Sequence, residues 1–400
     1  MKKFLIAGLI LFVGLAAGVG LTLGIKQIRG VSEKNGYYNI LDYGAKSDDK
    51  TFDNAKIFNK IIQKMGPNGG TIYIPEGNYA LHSTIKIDRS YVSIVGSNSG
   101  LRSAVDPANE KSQFGGGGAK LITQPKMTAI EIKDADHPER LSGITFKSFQ
   151  INGKTNDGIG IHSVQDNDRI VIDDLVITNV GTGIQLNGAD APSIRNSWIA
   201  ETKNAILLSG ASQQASIVNN SLGAQPGGTT IELENAQWFN ITGNNIYPDG
   251  SSNIRLFNPL FGTIASNTIS SLYNGIIELL PNQAGEIGQG NLISDNVIMM
   301  KNFRLNPDKK DKTWGIVHVE ADNTLINGNN LSATDVATDF AGIVIVKGAN
   351  NQIANTAIHS PSKQQIVVKE PATNTKISNS IDNDVFKNEG DASNINQFDH

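Results

Sequence analysis

The chain has 400 residues, of which 39% are hydrophobic, 18% are charged, 41 are glycine and none is cysteine. This hydrophobic content suffices for a core but excludes a polytopic membrane protein, and the many glycines argue against long amphipathic helices. Four of the 34 Lys and Arg residues lie within residues 1–30, which hold no acid, so residues 31–400 keep 30 basic against 38 acidic residues, a formal net charge of −8. Nucleic acid and anionic lipid surfaces are therefore poor partners for the body of the protein.

The N-terminal segment is apolar between basic flanks. Lys2 and Lys3 precede the run from Phe4 to Ile25, and Lys26 follows it. The run is longer than a secretory hydrophobic region of about 7–15 residues and long enough to cross a bilayer, which takes roughly 20 residues. We expect residues 1–30 to be a cleaved signal peptide or an uncleaved anchor that attaches the protein to a membrane through residues 4–25. Either predicts export to the extracellular medium or the cell surface, and the absence of cysteine fits such a compartment because folding then needs no disulfide machinery.

A short helix is predicted from Asn54 to Met65, followed by strand-forming residues in the stretch Gly69 to Tyr79. This order resembles the start of pectate-lyase-like β-helix proteins. There, a short helix covers the open end of the solenoid and protects its edge.

A repeated pattern, Ile-x-x-Asn-x-Ile/Leu, covers the second half of the chain. Its clear copies start at Ile217, Ile241, Ile264, Ile293 and Ile326, and looser copies start at Ile194, Ile353 and Ile377. The shortest steps are 23–24 residues, which is the length of one β-helix coil. Stacked coils would align the isoleucines in buried columns and the asparagines at a turn, where the side chain bonds backbone and tolerates left-handed φ.

Short alternating strands lie between the copies, as in Thr230–Leu233 and Gly315–Val319. A period of two predicts strands with one buried face. Leucine-rich repeats are the rival architecture, but their Leu-x-x-Leu-x-Leu frame is absent. The sequence predicts an all-β fold, a single-stranded right-handed parallel β-helix over residues 37–382 with a short N-terminal capping helix, followed by a disordered tail over residues 383–400.

Aligning the strands produces a column of residues that point away from the core. Its members are Gln185, Leu207, Glu232, Arg255, Glu278 and His318. The charged members would form a strip on one sheet, because neighbouring strands lie about 4.8 Å apart. This strip is our candidate site, with Glu232 and Glu278 as catalytic acids and Arg255 and His318 as substrate-binding residues. A plain surface ladder of alternating charges is the alternative.

A second acid pair lies within one strand. Glu232 and Glu234 share a face if the strand continues straight, and two nearby carboxylates can divide acid and base roles. Trp238 follows closely and could stack on a sugar, as could Trp198 and Trp314, although partial burial explains each equally well. The histidines lack ligand spacing and cysteine is absent, so we predict neither a metal site nor a cofactor.

Several stretches resemble the inulin fructotransferases, which form difructose dianhydrides from inulin. They are Pro75–His82, Tyr91–Gly96, Arg140–Phe146, Ile199–Glu201, Leu222–Gly228, Glu234–Asn235, Thr242–Pro248 and Gly315–His318. The resemblance implies intramolecular attack by a fructosyl hydroxyl, acid–base work by an Asp/Glu pair, and a homotrimer of β-helices with sites near subunit interfaces.

The chain departs from that family where the resemblance places the acids. Gly227 stands where it implies an aspartate, and the region of the second acid reads Asn235-Ala-Gln237-Trp238. Loss of a catalytic carboxylate removes roughly 10² to 10⁴ in rate. The sequence therefore leaves two functions open: an exported enzyme that cleaves or transfers a fructan or related oligosaccharide, and a non-catalytic glycan-binding or cell-surface protein.

Overall fold

The computed structural model describes residues 36–100, 117–134, 140–304, 314–338, 340–378 and 386–388. The segment predicted as a signal peptide or anchor, residues 1–30, lies outside them. Within the described ranges, no helix is both long and apolar enough to span a membrane.

The N-terminal end is closed by a 3₁₀ helix, Ile40–Tyr43, and by α1, Ala55–Lys64. Phe58 and Ile61 of α1 are fully buried, so the helix seals the first coil with its apolar face. Asn54 ties the start of α1 to the first coil, because its Nδ2 donates to the carbonyl of Ala80 at 3.2 Å. The predicted capping helix is confirmed.

Three long parallel sheets run the length of the molecule, and a fourth, short one lies beside them. The first sheet contains Tyr37–Asn39, Gly70–Ile74, Val92–Gly96, Thr145–Lys147, Val171–Asp173, Ser193–Arg195, Ser216–Val218, Asn240–Thr242, Thr263–Ala265, Leu292–Ser294, Leu325–Asn327, Gln352–Ala354 and Lys376–Ser378. The second contains Gly77–Ala80, Ala119–Ile122, Gln150–Asn152, Val176–Thr178, Trp198–Thr202, Ser221–Ala224, Asn245–Ile246, Thr268–Tyr273, Val297–Arg304, Asn330–Ala333 and Ala357–His359.

The third sheet carries the candidate site. It contains Ile85–Ile87, Thr128–Ile132, Ile159–Ser163, Thr182–Asn187, Asn204–Ser209, Thr229–Glu234, Ser252–Phe257, Ile277–Leu280, Val317–Val319, Ala341–Val346, Gln364–Val368 and Phe386–Asn388. The fourth contains Leu141–Ser142, Asn167–Asp168 and Ala189–Asp190. Each coil contributes one strand to each long sheet in turn, which is the architecture of a right-handed parallel β-helix.

The predicted isoleucine columns form the core of the first sheet. Ile217 pairs with Ile241, which pairs with Ile264, and all three are at most 1% exposed. Burial of each such side chain contributes roughly 1.5–3 kcal/mol. Because one coil alone leaves this face open, the gain comes only from stacking.

The recurring asparagines form a buried ladder at the corner between the first and second sheets. Nδ2 of Asn220 donates to Oδ1 of Asn244 at 3.0 Å, and Asn244 repeats the contact with Asn267 at 3.0 Å. Left-handed φ belongs to the preceding residue, +55° at Asn219 and +69° at Gly243. The ladder is confirmed, and the left-handed φ of this turn lies one residue before each ladder asparagine.

The predicted disordered segment, residues 383–400, contains one described strand. Phe386–Asn388 pairs in parallel with Gln364–Val368 and extends the third sheet. The sheet edge offers unpaired backbone groups there, so the prediction of disorder is corrected at these three residues. The rest of the segment lies outside the described part of the chain.

Candidate functional site

The outward column predicted from the sequence exists in the third sheet. Glu232 pairs with Arg255, Arg255 with Glu278, and Glu278 with His318 in register. Gln185 and Leu207 precede them in the same register. Parallel pairing at about 4.8 Å therefore brings four ionisable side chains together from strands far apart in sequence.

Glu278 lies at the buried end of the column, with a side chain 0% exposed. Its Oε2 accepts from Arg255 Nε at 3.0 Å and from Ser252 Oγ at 3.0 Å, and its Oε1 accepts from Trp314 Nε1 at 2.7 Å. A carboxylate held by three donors and shielded from water is poorly placed to exchange protons with a substrate. Glu278 is therefore placed to hold Arg255, and its role as a catalytic acid stays a prediction.

His318 is buried beside Glu278, at 1% exposed, and is stacked on Trp314 with ring centroids 3.9 Å apart. Its Nδ1 lies 2.8 Å from the carbonyl oxygen of Trp314, and its Nε2 lies 2.6 Å from Oε1 of Glu320. Lys347 Nζ donates to the same Glu320 oxygen at 2.8 Å. His318 therefore packs beside Glu278 with both ring nitrogens in contact with protein oxygens, and its role in substrate binding stays a prediction.

The contact between His318 and Glu320 affects the pKa values of both residues. The hydrogen bond with His318, reinforced by Lys347, lowers the pKa of Glu320 to about 2 against the cost of burial. Burial lowers the pKa of His318, opposed by the contact with Glu320. Glu320 is the residue that carries the negative charge here at neutral pH.

Glu232 and Glu234 occupy the open end of the column. The side chain of Glu232 is 33% exposed, and its Oε2 lies 3.9 Å from Arg255 Nη1. Burial raises the pKa of Glu232, Arg255 lowers it and Glu234 raises it further. The two glutamates alternate with buried Leu233 on one strand, so their Cα atoms are roughly 6.6 Å apart. This end presents a carboxyl group that retains a proton more readily than usual beside a second carboxylate.

Trp238 is separated from the column by a corner. It lies four residues beyond Glu234, is 52% exposed, and has a left-handed φ of +53°. The structure therefore leaves Trp238 open to solvent but does not bring it onto the face that carries Glu232.

Sequence reasoning missed three residues around the column: Ser252, Glu320 and Lys347. Ser252 donates to Glu278, Glu320 contacts His318, and Lys347 donates to Glu320. Trp314, which the sequence offered for sugar stacking, donates to Glu278 and stacks on His318. Alternation along the strand would place Ser252 on the face opposite to Arg255, so the period-2 pattern gives no signal for this contact. Trp314 reaches Glu278 from 36 residues away, which no local pattern reveals.

Another carboxyl group lies at the corner between the second and third sheets. Burial raises the pKa of Glu201, and the nearby indole of Trp198 opposes this shift. Among the described residues, Oε2 of Glu201 is buried without a hydrogen-bond partner. The ring of Trp198 meets that of Tyr247 at 5.2 Å. Glu201 is therefore a further half-buried carboxyl group close to two aromatic side chains.

Gly227 lies at that same corner, in a turn with space for a side chain. Its φ is +83°, and an added Cβ would have no atom within 4 Å. Its N–H donates to Ser251 Oγ at 2.7 Å, and the exposed Asp249 lies on the adjoining coil. The turn therefore has room for the acid that it lacks.

A cavity of about 730 Å³ lies between α1 and the start of the third sheet, lined by His82, Lys86 and Lys133 among others. Lys86 is five coils before Glu232 in the column, or about 24 Å. The cavity is thus remote from the acid pair. Within the described ranges, no group of three or more His, Asp or Glu side chains could hold a metal ion.

Comparison with known proteins gives matches along most of the chain. The family described as rhamnogalacturonase A/epimerase, pectate lyase-like, matches residues 37–136, and the family described as right handed beta helix region matches residues 158–305. The chain is 30% identical over 386 residues to the inulin fructotransferase [DFA-I-forming] of Arthrobacter globiformis, covering 86% of this chain and 94% of that protein.

Solved structures share the fold at lower identity. DFA-IIIase from Arthrobacter chlorophenolicus without its lid superposes with a TM-score of 0.78 at 22% identity, covering 90% of this chain and 99% of that one. A mannuronan C-5 epimerase A-module from Azotobacter vinelandii gives 0.62 at 13% identity, covering 90% and 98%. These likenesses establish the architecture alone.

Proposed function

The chain belongs to the inulin fructotransferase family, and from this premise we propose that it is a fructotransferase acting on a fructan or related oligosaccharide by intramolecular transfer. The observation that supports this is the open end of the column. There, Glu232, with its raised pKa, stands beside Glu234 on one exposed face. Carboxyl groups whose environments separate their pKa values can take opposite roles in proton transfer.

The proposed reaction assigns one role to each acid. Glu232 donates its proton to the glycosidic oxygen as the bond from that oxygen to the anomeric carbon breaks. A hydroxyl of the neighbouring fructosyl unit forms the new bond to the anomeric carbon and gives its proton to Glu234. Water is not consumed, and a proton moving from Glu234 to Glu232 through solvent resets the pair. General acid–base help of this kind accounts for roughly 10² to 10⁴ in rate per group.

Arg255 orients the acid in this scheme. Its guanidinium is held by Glu278 at 3.0 Å and by Ser252 at 2.5 Å, with Glu232 at 3.9 Å. Because Glu278 occupies the near side of the guanidinium, only a weak contact remains for Glu232. That balance keeps Arg255 from holding Glu232 permanently ionised.

A non-catalytic glycan-binding role is the second candidate, and Gly227 is the observation that favours it. The turn has space for an acid but carries glycine where the family resemblance implies an aspartate. We expect little difructose dianhydride from inulin for this reason. Gly227→Asp should raise that product if only this acid was lost, although the φ of +83° costs the variant about 1 kcal/mol.

The deciding experiment incubates the purified protein with inulin, levan and neutral plant polysaccharides and separates the products by chromatography. Intramolecular transfer predicts short cyclic products without new reducing ends, whereas hydrolysis predicts reducing sugars. Binding with no product from any substrate, in both the native protein and Gly227→Asp, would replace the enzyme by the glycan-binding protein.

We further propose that the protein is exported, held at the cell surface or released, and trimeric. The apolar run 4–25 between basic residues supports export, and the family resemblance supports the homotrimer. Mass spectrometry of the secreted or membrane fraction tests cleavage of residues 1–30. Light scattering of the purified protein tests for three copies.

A further inference from the structure

The corner between the third and first sheets repeats one unusual backbone position on successive coils. At each turn one residue adopts left-handed φ, and its N–H donates to a carbonyl of the following coil. Trp238 donates to Leu260 at 2.9 Å and Phe261 donates to Gln289 at 2.9 Å. On other coils the position holds Gly290 and Asn323, which suit this conformation, and Ala191 and Gln214.

Trp238 and Phe261 are exceptional at this position. Their φ angles are +53° and +54°, a region that bulky side chains rarely adopt. Local stability would therefore favour glycine or asparagine at both. Strained residues that persist are a reason to look for a function that their side chains serve.

Both aromatic side chains face solvent, at 52% exposed for Trp238 and 51% for Phe261. The bridge between Gln237 and Leu260 places them on adjoining coils, so their Cα atoms are about 4.8 Å apart. Phe261 lies over Gly290, where an added Cβ would come within 2.5 Å of its ring. The ring therefore packs one face on the next coil and leaves the other open.

Neutral amides border the two rings. Gln213 and Gln237 are half-buried and Gln289 is exposed along the column that runs beside them. Aromatic faces attract the apolar face of a sugar ring, while amides donate to and accept from hydroxyl groups. A surface without charge between Gln213 and Gln289 suits an uncharged oligosaccharide rather than an acidic one.

The size of the patch also favours a small ligand over a second copy of the chain. Two aromatic side chains bury at most roughly 500 Å² in total, whereas a stable protein interface takes about 800 Å² from each partner. Trp238 follows Glu234 by four residues, so the patch begins within roughly 14 Å of the acid pair along the backbone. A fructan bound at Glu232 could extend to it.

We propose that Trp238 and Phe261 form a stacking platform that binds an uncharged oligosaccharide outside the acid pair. This rests on the proposed function for the identity of its ligand, a fructan of several units. The platform holds the distal part of a long chain and leaves short substrates untouched.

The test replaces each aromatic by a residue that the same turn carries on another coil. Trp238→Gln copies Gln214 and Phe261→Asn copies Asn323, so the same turn already accommodates each new residue on another coil and both variants should fold. Tyr91→Asn is the matched control. Tyr91 has a φ of +64° and is 53% exposed, but glycines, Gly69 and Gly143, flank it on the adjoining coils.

Affinity electrophoresis of the full chain in gels containing inulin, levan or a neutral plant polysaccharide measures binding. Each platform variant should raise the dissociation constant roughly 2- to 10-fold, the double variant should show the larger loss, and Tyr91→Asn should bind like the native protein. With a fructan that the protein converts, the platform variants should show a higher KM for long chains and the native KM for a trisaccharide. Their kcat should be unchanged.

The outcomes separate this inference from the proposed function. Native binding without turnover removes the fructotransferase and leaves the platform, provided that the double variant loses binding. Turnover with unchanged binding and KM in the double variant overturns the platform alone. Failure of the native protein to bind all three polysaccharides overturns it, as does a smaller molar mass of the double variant by light scattering, which would make the patch an interface between copies.

Discussion

The two ends of one outward column differ in the solvent exposure and hydrogen bonding of their glutamates. Glu278 and Glu232 point the same way from neighbouring parts of one sheet, separated by Arg255 alone. Glu278 is fully buried with three hydrogen-bond donors, whereas the side chain of Glu232 is 33% exposed and has only a 3.9 Å contact with Arg255. The comparison teaches that facing outward from a β-helix does not make a residue accessible. Trp314, from a later segment, covers Glu278, whereas the side chain of Glu232 stays accessible to solvent.

The largest expected effect comes from Glu278→Gln at the covered end. The substitution leaves the half-buried guanidinium of Arg255 without the buried carboxylate of Glu278, and breaking a buried pair costs about 3–5 kcal/mol. Urea denaturation should show this loss. Glu232→Gln is the matched control and should change the free energy of unfolding by less than about 1 kcal/mol. Equal losses in the two variants would remove the distinction between the ends.

Activity should show the reverse order. Glu232→Gln keeps the shape of the side chain but has no proton to donate, so kcat on the fructan that the protein converts should fall by about 10² to 10⁴. The kcat of Glu234→Gln should fall similarly, because the amide cannot accept a proton. Circular dichroism melting checks that both variants are folded. If both variants keep full activity, the catalytic acids lie elsewhere in the chain, and Glu201 is the first alternative.

Acid should weaken the covered end specifically. The pKa of Glu320 is lowered to about 2 from an ordinary 4.5, so its contribution is fully present above pH 4.5 and is lost as the pH falls from there towards 2. The linkage amounts to at most about 3 kcal/mol. Glu320→Gln should flatten the dependence of unfolding free energy on pH in this window. An unchanged slope would show that Glu320 does not titrate with folding.

Trp314→Phe should give the smallest effect. Phenylalanine keeps the stack on His318 but removes the donor to Glu278 Oε1, at a cost of roughly 1–2 kcal/mol. Trp238→Phe, at an exposed turn, is the matched control and should leave the thermal midpoint unchanged. A larger loss at Trp238 than at Trp314 would contradict the assignment of Trp314 as the cover.

The periodicity of the sequence predicted the length of a coil and the direction of many side chains. Steps of 23–24 residues defined the coil, and alternation within each strand determined which side chains point inward, because a one-residue shift would exchange the two faces. Those two facts placed Ile217, Ile241 and Ile264 in a buried column and Glu232, Arg255, Glu278 and His318 in an outward one. The resemblance to a family of known fold agreed with both.

Accessibility and backbone strain depended on the tertiary structure. Trp314 covers Glu278 from 36 residues away, and a spacing of 23–24 residues cannot place such a contact because the step from Ile293 to Ile326 is 33 residues long. Likewise, the left-handed turn that exposes Trp238 and Phe261 carries glycine, asparagine, glutamine, alanine or an aromatic on different coils. Hydrogen bonding between coils imposes that φ whatever the side chain. The sequence by itself determined the coil and the direction of each side chain, because both follow from local periods. Tertiary packing alone decided which outward residues became buried, because burial depends on where distant segments come to lie.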